Sequence, residues 1–291
     1  MKIILEDNIS YDTKIIDFGV VPVNKRIITT GDKLIFSKEG KIEKEIAGKI
    51  KNCEVIRYIK EKNQLFISSI FFVSTKNGKV YKCDGRRKKI MEEVYDFEKI
   101  PEVIDFTPGG KIIFVENNIL CSYDVNTKES YITQSFSGNM TKGNYRIFTS
   151  GENVILKYRE LHEKSNRINI FDSKLEKIFD IQTENNHIYS KITGIEYLAG
   201  TDAGEIEIWN ILESEMYNSI KISNSRITFI EKNDRNYFIG TGTGDLIITD
   251  ETFKIQAIQN IFKNEITKIC IIEDEIFVLG VENKIVKLKI I

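Results

Sequence analysis

Two histidines, four cysteines and one glycine-rich run are the places where this chain of 291 residues could do chemistry. The run Gly240-Thr-Gly-Thr-Gly244 has the glycine density of a phosphate loop. Such a loop needs a helix behind it, whose first N–H groups meet the anion, and a lysine. Here it stands between two β-forming segments, so it reads as a hairpin turn that requires positive φ. No Gly-x-Ser-x-Gly elbow occurs. His162 and His187 have no partner at a metal-ligand or triad spacing and sit among polar residues, so both read as surface histidines. Cys53, Cys83, Cys121 and Cys270 lie at intervals of 30, 38 and 149 residues. None of these is a metal-ligand spacing. They read as reduced, strand-borne thiols of an intracellular protein. The expectation is therefore no catalytic residue, no metal and no cofactor.

Two stretches have the character of binding surfaces instead. Arg86-Arg87-Lys88-Lys89 places four cations in a row, able to meet an acidic partner or the phosphates of RNA, though Glu92 and Glu93 follow closely. Tyr158-Arg-Glu-Leu-His-Glu-Lys-Ser-Asn166 interrupts an otherwise regular pattern. Tyr158, Arg159, Leu161, His162 and Lys164 are its candidate contacts, on the ground that loops carried by a rigid scaffold are where function concentrates.

The elements that would hold these stretches repeat. A β-rich run, a turn and a second β-rich run recur at Tyr197-Leu-Ala-Gly-Thr, Tyr237-Phe-Ile-Gly-Thr and Ile276-Phe-Val-Leu-Gly. The second runs begin at Glu205, Asp245 and Lys284, 40 and 39 residues apart. Traced backwards, equivalent runs begin at Lys33, Lys79, Ile119 and Arg167, which makes seven repeats of about 40 residues with two insertions. The hairpins fall around 26–36, 64–82, 111–123, 153–171, 197–209, 236–249 and 276–288. Residues 88–97 are the best helical candidate and are short. An all-β, seven-bladed propeller occupying 1–291 as a single domain is the expectation.

The last repeat supplies three strands, while an apolar run, Lys2-Ile-Ile-Leu5, precedes the first. Two unpaired edges invite aggregation, and pairing them closes a ring. The amino-terminal run is expected to be the outer strand of blade seven.

Charge and hydropathy exclude little else. The 42 basic and 43 acidic residues give a net charge of −1, so no overall field selects nucleic acid or a membrane. The start of the chain turns charged after three apolar residues, unlike a signal peptide, and no apolar run approaches the length of a membrane helix.

Seven such repeats, one of them ending Ile206-Glu-Ile-Trp209-Asn210, resemble the WD-repeat family. Looser echoes of its Trp-Asp ending are Tyr123-Asp124, Phe171-Asp172 and Thr249-Asp250, and the Gly-His dipeptide of the family is absent. The buried Asp-His-Ser/Thr-Trp network of such repeats therefore cannot form in most blades. The resemblance implies a monomeric, non-enzymatic scaffold with protein partners in a multi-subunit ribonucleoprotein, translation or trafficking assembly, cytoplasmic or nuclear. Two alternatives stand beside it: an enzyme or small-molecule binder using the central channel, and a propeller-type guanine-nucleotide exchange factor.

Overall fold

Neighbouring residues on a strand leave it on opposite sides, and in this chain both sides are apolar. Ile27-Ile28, Phe71-Phe72, Tyr197-Leu198 and Phe238-Ile239 are all fully or almost fully buried. Such strands need a sheet on each side of them, which is the arrangement a ring of sheets provides. The computed structural model describes residues 3–46, 50, 52–58, 69–101, 103–133, 145–159 and 163–290.

The chain enters with β1 (Ile3–Ser10). Blade one is β2 (Ile15–Val21), β3 (Arg26–Gly31), β4 (Leu34–Lys38) and β5 (Lys41–Ile46). Blade two is β6 (Cys53–Tyr58), β7 (Ile70–Thr75), β8 (Lys79–Asp84) and β9 (Lys89–Asp96). Blade three is β10 (Val103–Phe106), β11 (Lys111–Glu116), β12 (Ile119–Asp124) and the short β13 (Ser130–Ile132). Blade four is β14 (Arg146–Ser150), β15 (Asn153–Tyr158), β16 (Asn166–Phe171) and β17 (Lys177–Thr183). Blade five is β18 (His187–Thr193), β19 (Glu196–Thr201), β20 (Glu205–Asn210) and β21 (Glu215–Lys221). Blade six is β22 (Ile227–Lys232), β23 (Asn236–Thr241), β24 (Asp245–Asp250) and β25 (Ile255–Asn260). Blade seven is β26 (Ile266–Ile272), β27 (Glu275–Gly280) and β28 (Lys284–Ile290), with β1 as its fourth strand.

Each sheet is antiparallel and meanders outward in chain order, apart from the last. There β1 pairs with β28 from Ile3 opposite Ile290 to Ser10 opposite Lys284, with a bulge between Leu5 and Asp7. The expected closure is present, and it runs further than residue 5. Lys2 lies outside the described residues, as do 64–68 of the second expected hairpin. Residues 88–97 form β9 rather than a helix. Ile90 packs on the seam with blade one and Val94 and Tyr95 on the seam with blade three, and β8 supplies the backbone partners.

Seven apolar clusters hold the sheets, one in each seam between adjacent blades. The alternation explains how each strand serves two of them. Phe71 meets Phe36 of blade one edge-on at 6.3 Å, while Phe72 meets Phe106 of blade three at 5.7 Å. Each such buried side chain contributes about 1.5–3 kcal/mol. The Gly-Thr pairs of the repeats have a packing cause. A Cβ at Gly200 would lie 2.5 Å from Ile227 Cγ2, and one at Gly240 would lie 2.7 Å from Ile266 Cγ2. Glycine lets the second strand of one blade approach the first strand of the next. Gly244 takes φ of +81°, so the glycine-rich run is the hairpin turn expected of it.

Candidate functional site

The first strand of each blade is an edge of its sheet: neighbouring blades cover its two faces, and its free edge runs along the axis. An apolar strand that carries a charge there must satisfy it across the channel wall, because burying an unpaired charge is costly. β2, β6, β10, β14, β18, β22 and β26 surround a channel cavity of about 440 Å³. Into this region project three carboxylates, Asp17, Asp105 and Glu231, and three cations, Arg57, Lys191 and Lys268.

These groups join neighbouring blades. Lys268 Nζ donates to Asp17 Oδ1 at 2.6 Å, from blade seven to blade one. Asp17 Oδ2 accepts from the Ile56 N–H at 3.1 Å and from Arg57 Nη1 at 2.9 Å, from blade one to blade two. Arg57 Nε reaches Asp105 Oδ1 at 3.1 Å. Asp105 Oδ2 accepts from the N–H and hydroxyl of Thr149 in blade four, at 3.2 and 3.1 Å. Ser150 Oγ both donates to the Ile192 carbonyl and accepts from its N–H, each at 3.0 Å. Lys191 pairs with Glu231 across the next seam. Thr228 Oγ1 donates to the Ile266 carbonyl at 2.6 Å. Every seam around the axis is thus bridged by a polar contact as well as an apolar cluster.

The electrostatics follow from this sharing. Burial would raise the pKa of Asp17, but Lys268 and Arg57 outweigh it and hold the carboxyl below its ordinary range. Burial works to lower Arg57, yet Asp105 and Asp17 keep it above its usual value. Lys268 is lowered, chiefly by burial, with Asp17 opposing. Cys270 is pushed up to about 12 by burial, so it holds its proton at neutral pH and is no nucleophile there. Tyr189 is pushed up by burial as well. It packs against Phe148 at 5.5 Å and Phe229 at 4.4 Å on the axis side. A general base needs a free lone pair and a pKa near the working pH. Asp17 is low and already accepts from Phe18 N–H, Lys268, Ile56 N–H and Arg57. Among the described residues, no three His, Cys, Asp or Glu side chains gather as a metal site would require.

His187 corrects the sequence reading. It opens β18, is fully buried, and spends both ring nitrogens. Nε2 lies 2.8 Å from Glu207 Oε2, and Nδ1 lies 2.9 Å from Tyr197 Oη. Ser190 Oγ joins Tyr197 Oη at 3.0 Å, while Trp209 Nε1 and Asn185 Nδ2 donate to Glu207. With the proton on Nε2 the chain of donors is complete: Ser190 to Tyr197, Tyr197 to His187, His187 to Glu207. Burial would raise Glu207, but the hydrogen bonds from His187, Asn185 and Trp209 hold it below the usual carboxylate range. The polar residues around His187 disguised it, because its partners arrive on the next two strands. Replacing His187 by alanine leaves the buried Glu207 carboxylate and the Tyr197 hydroxyl short of partners. The expected loss is about 2–4 kcal/mol of unfolding free energy. Urea unfolding followed by emission of Trp209, the chain's one tryptophan, measures it. A variant within about 0.5 kcal/mol of the parent would deny the network that role.

The expected surface residues divide. Tyr158 ends β15 and is buried in the seam between blades three and four, near Asn169, whose Nδ2 lies 3.4 Å from its hydroxyl. Arg159 and Lys164 are exposed, and Leu161 and His162 lie outside the described residues. Beside them Lys157, 7% exposed, donates to Asn186 Oδ1 and to the His187 carbonyl, both at 2.6 Å. Burial, then Arg146 and Arg159, bring its pKa down to about 8. Arg86 and Arg87 are exposed on the turn between β8 and β9, on the face opposite the insertion; Lys88 there is half-buried, and Lys89 is exposed at the start of β9.

No protein-family model matches the sequence, and no curated relative does. The shape has solved counterparts. A computationally designed protein, Ika8, aligns over 97% of this chain and 98% of its own with a TM-score of 0.69 and 10% identity. The likeness is one of fold: a seven-bladed β-propeller.

Proposed function

We propose that this chain is a degenerate WD-repeat-like scaffold, a non-enzymatic ring that holds protein partners within a larger intracellular assembly. The observation that carries this reading is the closed circuit of polar bridges around the axis. In it the acids and bases that a channel enzyme would use are committed to joining blades. What such a ring offers is two rigid faces and a rim. The family affinity has one point of support. In blade five His187, Glu207, Tyr197, Ser190 and Trp209 form a buried network of the kind WD repeats build from Asp, His, Ser or Thr, and Trp.

Affinity capture from the cells that make the protein, after mild crosslinking, tests the reading. A partner in fixed stoichiometry that stays with the chain through gel filtration is expected. Recovery of the propeller alone, at the size of a monomer, would overturn it.

A further inference from the structure

The four-cation run is a built feature rather than a loose turn. Asp84 Oδ1 accepts from the N–H groups of Arg86 and Arg87 at 2.8 and 3.1 Å and from Ser69 Oγ at 3.1 Å. The neighbouring blade then grips the turn from below. Arg26 of β3, 7% exposed, donates from Nη1 to the Gly85 and Arg86 carbonyls at 2.8 and 3.2 Å. Lys44 of β5 donates to the Lys88 carbonyl at 2.8 Å. Both anchors are cations, although neutral donors could make the same bonds. Among the described residues of this cluster, Arg26, Lys44, Arg86, Arg87, Lys88 and Lys89 are opposed by Glu43 and Asp84. Four positive charges remain, in a chain whose net charge is −1. The Arg87 side chain is 72% exposed.

We infer that this turn is the docking surface for an acidic segment of a partner protein, an inference that rests on the scaffold reading above. Fixed cations on a preorganised turn meet carboxylates without first being ordered, which lowers the cost of binding. The flanking outer strands decide between acidic peptide and nucleic acid. β5 and β9 expose Ile42 and Met91, at 50% and 46%. Among the described residues the one strongly exposed large aromatic side chain is Tyr217, in blade five. Single-stranded RNA is held by bases stacked on aromatic rings, and this surface provides aliphatic side chains instead. Glutamates interleaved with leucines would satisfy both parts of it.

The test uses the whole chain and a fluorescein-labelled peptide of alternating glutamate and leucine, read by anisotropy. Single-stranded RNA of equal charge serves as the competing probe. The triple variant Arg86→Glu, Arg87→Glu, Lys89→Glu changes only exposed side chains, so its fold is expected to survive, with circular dichroism as the check. Peptide binding that weakens with salt and falls at least about tenfold in the variant supports the inference. Equal binding by parent and variant, preference for the RNA, or no binding of the peptide overturns it. If the variant still captures its cellular partners in stoichiometric amount, the scaffold reading stands and this surface falls.

Discussion

Removing residues 1–10 is expected to turn a cooperative fold into an open, self-associating one. β1 is the only described strand that joins sequence-distant parts of the chain in one sheet, pairing with β28 along its length. Ile9 is buried in the seam cluster with Phe18, Ile27, Phe277 and Ile285, and Ile3 packs on the cluster between blades six and seven. At the bulge in the middle of the same pairing, Glu6 meets Lys287 at 2.9 Å, and Lys287 meets Glu275 at 2.8 Å. Those ion pairs are partly exposed and add little each. The ladder and the apolar burial carry the effect, offset in part by the entropy of ordering eight residues. A net loss on the order of 3–5 kcal/mol is a large share of the 5–15 kcal/mol that holds a domain. The truncation also bares β28, whose Ile285, Val286 and Leu288 are buried in the full chain, as a free edge. Thermal unfolding and gel filtration report the result: a lower, broader transition and a shift to dimers or larger species. A synthetic peptide of residues 1–12 added in trans should restore the transition. An unchanged melting temperature in a monomeric truncated chain would mean that the ring does not depend on this strand.

The features that proved legible in the sequence are local ones. A hairpin announces itself within about fifteen residues, because alternation and turn chemistry act between neighbours. The runs beginning at Lys79, Ile119, Glu205, Asp245 and Lys284 are the starts of β8, β12, β20, β24 and β28. β14 is weakly marked in the sequence, since its five residues are only half-buried or exposed and carry no strong alternation. The channel circuit was illegible for the opposite reason. Asp17 and Lys268 stand 251 residues apart, and Arg57 and Asp17 stand 40 apart. A charge inside an apolar strand looks like noise until the ring places it beside its partner. One trace of the circuit was present. Charged residues recur within otherwise β-forming inner strands, among them Asp17, Arg57, Asp105, Glu231 and Lys268. His187 failed as a reading because its polar neighbourhood suggested solvent, while Tyr197 and Glu207 were supplying a buried site from 10 and 20 residues further on.

Replacing Asp17 by alanine is expected to cost about 3–5 kcal/mol, because it strands Lys268 in the channel wall and leaves Arg57 with Asp105 as its one carboxylate. Lys268 and Arg57 share that one carboxylate, and Ile56 N–H loses its acceptor with it. Two controls separate charge from shape. Asp17→Asn keeps the volume and part of the hydrogen bonding, so it should cost less than alanine but remain destabilising. Pairing Asp17→Ala with Lys268→Met removes one stranded charge, and the double variant should recover part of the loss in a mutant cycle. The pH profile gives an independent reading. The carboxyl of Asp17 is held below its unfolded value, so its contribution is complete above about pH 4 and disappears as the pH falls through the folded value. The parent should therefore lose stability on acidification more steeply than Asp17→Asn, and the two curves should converge at low pH. Denaturant unfolding across that range decides it. If Asp17→Ala unfolds like the parent at neutral pH, the channel charges are not what joins the blades. They would then be free to hold a ligand on the axis, and the case for a scaffold without a channel site would lose its main support.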